Sequence, residues 1–266
     1  MKLGILIPLK SKAVARNWDL TCDNLRKTLT SILNQSETNF VIVIIGHEKP
    51  EFLSDIFFRS KKIFFESLVE ISPPVETDDD CLNQLLYEKD RCSKILKGIM
   101  FLRSISNEIS YWFPLDADDL IHRDFVAEVT EIVRSKKVDA IILCKGFIYY
   151  KSSNALTKEN DFSLYCGSSA IVADCFLPTV IQFSELSYQR FLFGEVPHTR
   201  MLDYFRKNQL SFYIPNKRLV MYCKDHGENI SSYGKPRKDL RYIKRTLKII
   251  IKRIYFSSAI RKDFSL

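Results

Sequence analysis

The chain is poor in glycine. It has eight in 266 residues, against an average usage of roughly 7%. No two of them stand one residue apart, so the dinucleotide fingerprint and the P-loop, which both need closely spaced glycines, are absent. A nucleotide bound here would be held by metal ions and side chains, not by a glycine cradle. The seven cysteines are odd in number and scattered, with no C-x-x-C pair. That pattern suits reduced thiols acting as small buried hydrophobes better than a disulfide framework or a zinc site. No apolar run approaches the ~18 residues of a spanning helix. The opening MKLGILIPLK has no cleavage-site pattern and reads as a first strand, so the expected location is cytoplasmic. Hydrophobic residues at 46% and charged residues at 27% exclude disorder, collagen and a multi-span membrane protein.

Charge is unevenly placed. The net charge is +8, yet residues 1–234 hold 29 basic and 30 acidic side chains, and residues 235–266 hold 11 basic and two acidic. A nearly neutral body therefore carries a basic tail. The neutral body and the lack of a recognition motif argue against a nucleic-acid partner, although a nucleic-acid-binding protein using the tail stands as the rival from another class.

The apolar pattern alternates between two periods. LGILIPL at 3–9 and FVIVIIG at 40–46 are short continuous runs, the pattern of strands buried on both faces. Between them Leu20, Leu25, Leu29, Ile32 and Leu33 recur at helical spacing. A short helix over 50–59 and a strand over 63–71 follow. Thr77-Asp78-Asp79-Asp80 reads as a helix start, with Leu82 to Leu102 helical. SYWFPL at 110–115 is a further strand. A helix over 122–135, a strand over 138–150, a turn at 165–169, a helix over 197–208 and strands near 210–214 and 218–223 complete the body. The alternation predicts an α/β fold with a mostly parallel sheet flanked by helices.

Asp116-Ala117-Asp118-Asp119 follows the strand at 110–115. In open α/β sheets, ligands bind beyond the carboxyl ends of the strands. Three carboxylates in four residues repel one another unless a cation lies among them, and hard divalent ions such as Mg²⁺ or Mn²⁺ prefer oxygen ligands. The alternative is that Asp118 and Asp119 cap a helix starting near Ile121.

ILIPL at 5–9, SILNQS at 31–36, FVIVII at 40–45 and FPLDADD at 113–119 together resemble a family 2-type glycosyltransferase of the GT-A fold, over about residues 1–230. The D-x-D after its strand is the most specific element. The resemblance implies one domain over 1–233, with a nucleotide-sugar half (1–120) and an acceptor half (121–233). It implies a nucleotide-sugar donor, a glycan or lipid-linked acceptor, a divalent metal and chemistry that inverts the anomeric carbon. Asp116 would lie near the ribose and share the metal, Asp118 would be its main ligand, and Pro8 would face the donor. The chain departs from the family at the end of the second strand, where Gly46-His47-Glu48 replaces aspartates that contact the base. Glu48, or Asp79 within Asp78–Asp80, is left for that role.

Asp90 and Lys94 share a helix face. Lys94 would meet the donor phosphates, or else form a surface ion pair worth a few tenths of a kcal/mol, roughly. By the resemblance Glu195 in FGEVPH would be the catalytic base, with His198 as second candidate, since the acceptor hydroxyl must lose a proton; a helix-start acid is the plain reading of Glu195. His226 in KDHGENIS resembles the late histidine that closes over the metal or diphosphate in many GT-A enzymes, and equally a solvated loop residue. Gly167 and Ser168 resemble a small-residue turn beside the acceptor, or a plain turn.

In the tail, Leu240, Ile243, Leu247, Ile250, Ile251 and Ile254 separate from the basic residues at 100° per residue. This basic amphipathic helix, over 235–256, would lie on an anionic membrane surface, placing the protein on the inner face of the plasma membrane. Alternatively it packs on the domain. A sugar nucleotidyltransferase would need a glycine-rich first loop, which ILIPLKSKAVAR lacks. A non-catalytic protein of the same fold is the remaining alternative.

Overall fold

The computed structural model describes residues 1–54, 60–177, 179, 183–184, 187–228 and 249–266. The chain opens with strand β1 (Lys2–Pro8), helix α1 (Trp18–Leu33), β2 (Phe40–Gly46), β3 (Ile63–Ser67), helix α2 (Asp80–Ile105) and β4 (Ile109–Pro114). These form one side of a seven-stranded sheet ordered β3-β2-β1-β4-β9-β6-β10, with β6 (Ala140–Ile142), β9 (Ala170–Ala173) and β10 (Phe212–Tyr213) completing it. Its pairs are parallel except those that β9 makes with β4 and β6. A mostly parallel α/β sheet is therefore what the apolar pattern predicted.

The continuous runs in β1 and β2 have a direct cause. Alternate residues of a strand point to opposite faces, and here both faces are covered. Leu3, Ile5 and Ile7 join Ile42 and Ile44 in one core with Leu25, Leu29 and Ile32 of α1. Leu6 joins Val43 and Ile45 in the other, with Ile95, Ile99 and Leu102 of α2. Gly98 lets α2 approach closely, since a Cβ there would lie 2.6 Å from Ile45 Cδ1. Local chemistry starts each helix. Asn17 accepts from Leu20 N at 2.9 Å, and Asp79 accepts from Cys81 N and Leu82 N, caps worth about 1 kcal/mol each.

A second, five-stranded sheet has the order β12-β8-β7-β11-β5: β5 is Leu120–Ile121, β7 Gly146–Tyr150, β8 Ala155–Glu159, β11 Val220–Lys224 and β12 Arg253–Ile254. The single strand expected over 138–150 is thus two strands in different sheets. The chain bends between them, with Cys144 N bonded to Ile142 O and Gly146 seated against the Phe162 ring, where a Cβ would sit at 2.3 Å. Helix α3 (Phe125–Lys136) starts later than expected, so neither Asp118 nor Asp119 caps it. The helix expected over 50–59 is a 3-10 turn at Glu51–Ser54, with 55–59 outside the described residues. The helix expected over 197–208 is a 3-10 turn at His198–Arg200 followed by α-helix over Met201–Lys207.

Residues 229–248, which hold most of the basic tail, lie outside the described residues. Beyond them 249–252 are helical, but Arg253 and Ile254 are extended and pair antiparallel with Thr157 and Leu156. A terminal helix (Ser258–Asp263) then seats Phe264 among Leu120, Phe147, Met221 and Cys223. The end of the chain is docked on the body. Among the described residues, no helix is long and apolar enough to cross a membrane.

Candidate active site

Strand order reverses at β1: β2 and β3 lie on one side of it and β4 on the other. Crevices at such a switch point, beyond the carboxyl ends of the strands, are where α/β sheets bind ligands. Pro8 ends β1 there, half-buried and in register with Ile45. Leu115 N still bonds Leu6 O at 2.8 Å, and the carboxylate turn begins at the next residue.

The three aspartates of the turn have three different fates. Asp119 is fully buried. It accepts from Ser168 Oγ at 2.7 Å, Cys166 Sγ at 3.2 Å and Cys223 N at 3.2 Å. It pins the turn to the 166–168 segment and to β11. Burial, with Asp118 and Asp116 adjacent, pushes its carboxyl well above the usual range. Asp116 accepts from Arg91 Nε at 3.0 Å, across from α2. Asp118 meets His226, whose Nε2 lies 2.7 Å from Asp118 Oδ2. The repulsion within the cluster is thus relieved largely by the protein's own groups.

Gly167 and Ser168 support the turn. Ser168 is fully buried and its hydroxyl is committed, accepting from Asp116 N at 2.9 Å while donating to Asp119. Gly167 lies against the Arg91–Asp116 pair; a Cβ there would come within 2.7 Å of Arg91 Nη2 and 2.8 Å of Asp116 Oδ2.

The donor-side candidates also separate. Asp79 is committed to capping α2. Glu48 accepts from Lys12 N at 2.9 Å and so orders the loop after β1. Lys94 is buried, not on the surface. Its Nζ lies 2.5 Å from Asp90 Oδ2, and Asp90 Oδ1 meets His47 Nε2 at 2.8 Å. Burial lowers the Lys94 pKa, opposed by Asp90. Asp90, from α2, places a carboxylate beside the end of β2, where the sequence has Gly46-His47-Glu48.

The two base candidates lie in different places. Glu195 ends a short helix (Leu192–Glu195) and lines a cavity of ≈ 280 Å³ with Cys175, Leu177 and Tyr204. Ala173 pairs with Tyr111, so the residues after it run toward the amino end of β4, opposite the carboxylate turn. His198 instead shares the field of Arg91, Asp116 and Glu88. Its pKa is lowered, first by burial and then by Arg91. A neutral imidazole can accept a proton at neutral pH.

A divalent ion fits this donor set in a limited way. Among the described residues no group of three His, Cys, Asp or Glu side chains converges to hold one. Asp116 is engaged by Arg91, and the His226 ring is engaged on both nitrogens, by Asp118 and by Asn24 Nδ2 at 3.1 Å. Asp118, bonded to His226, could add one carboxylate to an ion held mainly by a substrate's phosphates.

Arg91, Asn24 and Glu228 were not singled out by the sequence. Arg91 stands only three residues from Lys94 but is one of many charges on a long helix, and no local spacing ties it to Asp116. Glu228 is two residues from His226; it accepts from Lys10 Nζ at 2.9 Å and Asn17 N at 2.8 Å.

No family model matches the chain, and no curated protein matches it. Among solved structures it is similar to S. aureus TarS 1-349 in complex with UDP, at 10% identity and TM-score 0.49, over 85% of this chain and 61% of that one. It is also similar to S. aureus TarS 1-349 in complex with UDP-GlcNAc, at 13% identity and TM-score 0.48, over 98% and 69% of the two chains. A third is a candidate nucleotide-diphospho-sugar transferase from Desulfovibrio desulfuricans G20, at 10% identity and TM-score 0.40, over 94% and 98%. The chain thus spans 61% of the length of the first of these.

Proposed function

We propose that the chain is a glycosyltransferase of the GT-A type, moving a sugar from a nucleotide-diphosphate donor to a hydroxyl of a glycan or lipid-linked acceptor with inversion. The observation that carries this reading is the D-A-D-D turn at the carboxyl end of β4, beside the end of β1, where the strand order reverses. Asp118 would hold a Mn²⁺ or Mg²⁺ ion brought with the diphosphate; such an ion supplies Lewis-acid neutralisation of the leaving group. Asp116, bonded to Arg91, would face the same crevice and meet the ribose. His198 would accept the proton of the attacking hydroxyl, in preference to Glu195, because burial keeps its imidazole neutral and Arg91 and Asp116 are its neighbours. His47, Glu48 and Asp90 line the end of β2 and would meet the base.

The acceptor reading includes a membrane. The basic segment would lie on an anionic leaflet at the inner face of the plasma membrane. Ile250, Ile251 and Tyr255, exposed by 65%, 81% and 86%, support contact there next to Lys252 and Arg253.

The test is a thermal-shift panel of UDP, GDP, CDP and ADP with and without Mn²⁺. Ligands that bind only the native state raise its apparent stability. A Mn²⁺-dependent shift by one nucleotide, lost in Asp118→Asn, is expected. No shift with any of them would remove the donor reading.

A further inference from the structure

The ring of His226 is read from both sides. Its Nδ1 faces Asn24 Nδ2 at 3.1 Å and the backbone N of Glu228 at 3.3 Å. The second of these can only donate. The orientation of the Asn24 amide is set in turn, because its Oδ1 lies 2.8 Å from Lys151 Nζ, and an ammonium has donors only. Asn24 therefore offers its NH₂ to His226. With two donors against Nδ1, that nitrogen must be the acceptor, and the ring proton sits on Nε2. Nε2 faces Asp118 Oδ2, which accepts.

We infer that Lys151, Asn24 and His226 form a one-way hydrogen-bond chain that ends on Asp118 and aims its carboxylate. Each link has its direction set by the ends: an ammonium at one and a carboxylate at the other. His226 is on this account a positioning residue. To bind a metal through Nε2 it would have to move its proton to Nδ1, against two donors, whereas histidine ligands ordinarily donate their other N–H to an acceptor. Lys151 and Asn24 are positioning residues by the same chain.

The members come from four segments. Asn24 is on α1 and is 3% exposed. Lys151 follows β7, His226 follows β11 and Asp118 follows β4. The loop carrying His226 is held in place by Glu228, whose buried carboxylate accepts from Lys10 Nζ, Asn17 N and Arg16 N. Asp225 at φ 58° and Gly227 at φ 91° turn the chain sharply on either side of His226, so that its ring enters between α1 and the carboxylate turn. The tautomer follows from these contacts alone; the use of an aimed Asp118 rests on the donor reading above.

Two measurements on the full chain test it. Long-range ¹H–¹⁵N spectra of histidine-labelled protein, with His226 assigned by His226→Gln, report the tautomer directly. The Nε2–H form is expected in the wild type, with the Nδ1 resonance moved in Asn24→Leu and in Lys151→Met as one of its two donors is lost or turned away. The surface-side Lys151→Met keeps the test open should Asn24→Leu fail to fold. An Nδ1–H form in the wild type, or spectra unchanged in both variants, would overturn the chain. The second measurement is calorimetric binding of Mn²⁺ with each of UDP, GDP, CDP and ADP. Loss of an outer partner is expected to weaken binding about 10- to 100-fold in Lys151→Met with the fold intact; unchanged affinity would overturn the positioning role. If the wild type binds none of the four, the donor reading falls and the positioning role with it, while the tautomer result still judges the chain.

Discussion

His226 Nε2 lies 2.7 Å from Asp118 Oδ2, across 108 residues of sequence. The contact closes the loop after β11 onto the carboxylate turn after β4, and it joins two residues that the sequence puts together as metal ligands. Asp118→Asn is expected to lower kcat/KM at least about 100-fold, a loss of about 2.7 kcal/mol of transition-state stabilisation. His226→Gln should cost less, about 10-fold. Steady-state kinetics of the two variants at saturating Mn²⁺ check the order; equal losses would make His226 a ligand in its own right.

Ser168 is expected to matter for stability. Its hydroxyl links Asp116 N to Asp119 Oδ2 in a fully buried site, and leaving buried partners unsatisfied costs about 1–3 kcal/mol. Ser168→Ala should lower the denaturation midpoint accordingly. A raised acceptor KM with an unchanged midpoint would restore it to the acceptor site.

The chain end is expected to act as part of the core. Phe264 is 1% exposed and stacks edge-on against Phe147 and His122. Phe264→Ala should destabilise the fold by about 3–5 kcal/mol. Tyr255→Ala, at a residue 86% exposed, should change it by no more than about 0.5 kcal/mol. Urea denaturation of both variants gives the comparison.

Stability should depend on pH through His122. Burial, and then Lys217, lower its pKa from 6.5, while Asp263, Asp124 and Glu128 oppose them. The unfolded chain therefore binds more protons than the folded one between the lowered value and 6.5, and stability rises with pH across that window. The contribution is full above 6.5 and is lost as pH falls toward the folded value. His122→Gln should flatten the slope of stability against pH just below 6.5; an unchanged slope would show that His122 does not titrate differently on folding.

Glycine at the sheet centre is expected to be irreplaceable. A Cβ at Gly4 would lie 2.6 Å from the Trp112 ring, whose Nε1 is anchored to Asp174 Oδ1 at 2.6 Å. Gly4→Ala should cost about 1–3 kcal/mol through overpacking, read from thermal unfolding.

Much of the fold was legible because its causes are local. Continuous apolar runs marked β1, β2 and β4, and the spacing of Leu25, Leu29 and Ile32 marked α1. The apolar pattern over 138–150 reads as one strand because the break between β6 and β7 depends on Gly146 meeting Phe162, a contact the pattern does not contain. Ser168 and Asp79 look like site residues in sequence because small and acidic side chains serve caps and turns as readily as they serve ligands. Only their partners tell the uses apart.

The sequence by itself determined that a buried strand ends in Asp116-Ala117-Asp118-Asp119 and that a parallel α/β sheet surrounds it, since hydrophobic period and strand length are properties of neighbouring residues. Tertiary structure decided what each carboxylate does. Asp119 became a buried pin, Asp116 the partner of Arg91 and Asp118 the end of a chain through His226, because an aspartate's role is set by the donors brought to it, and those come from α1, α2, β11 and the 166–168 segment.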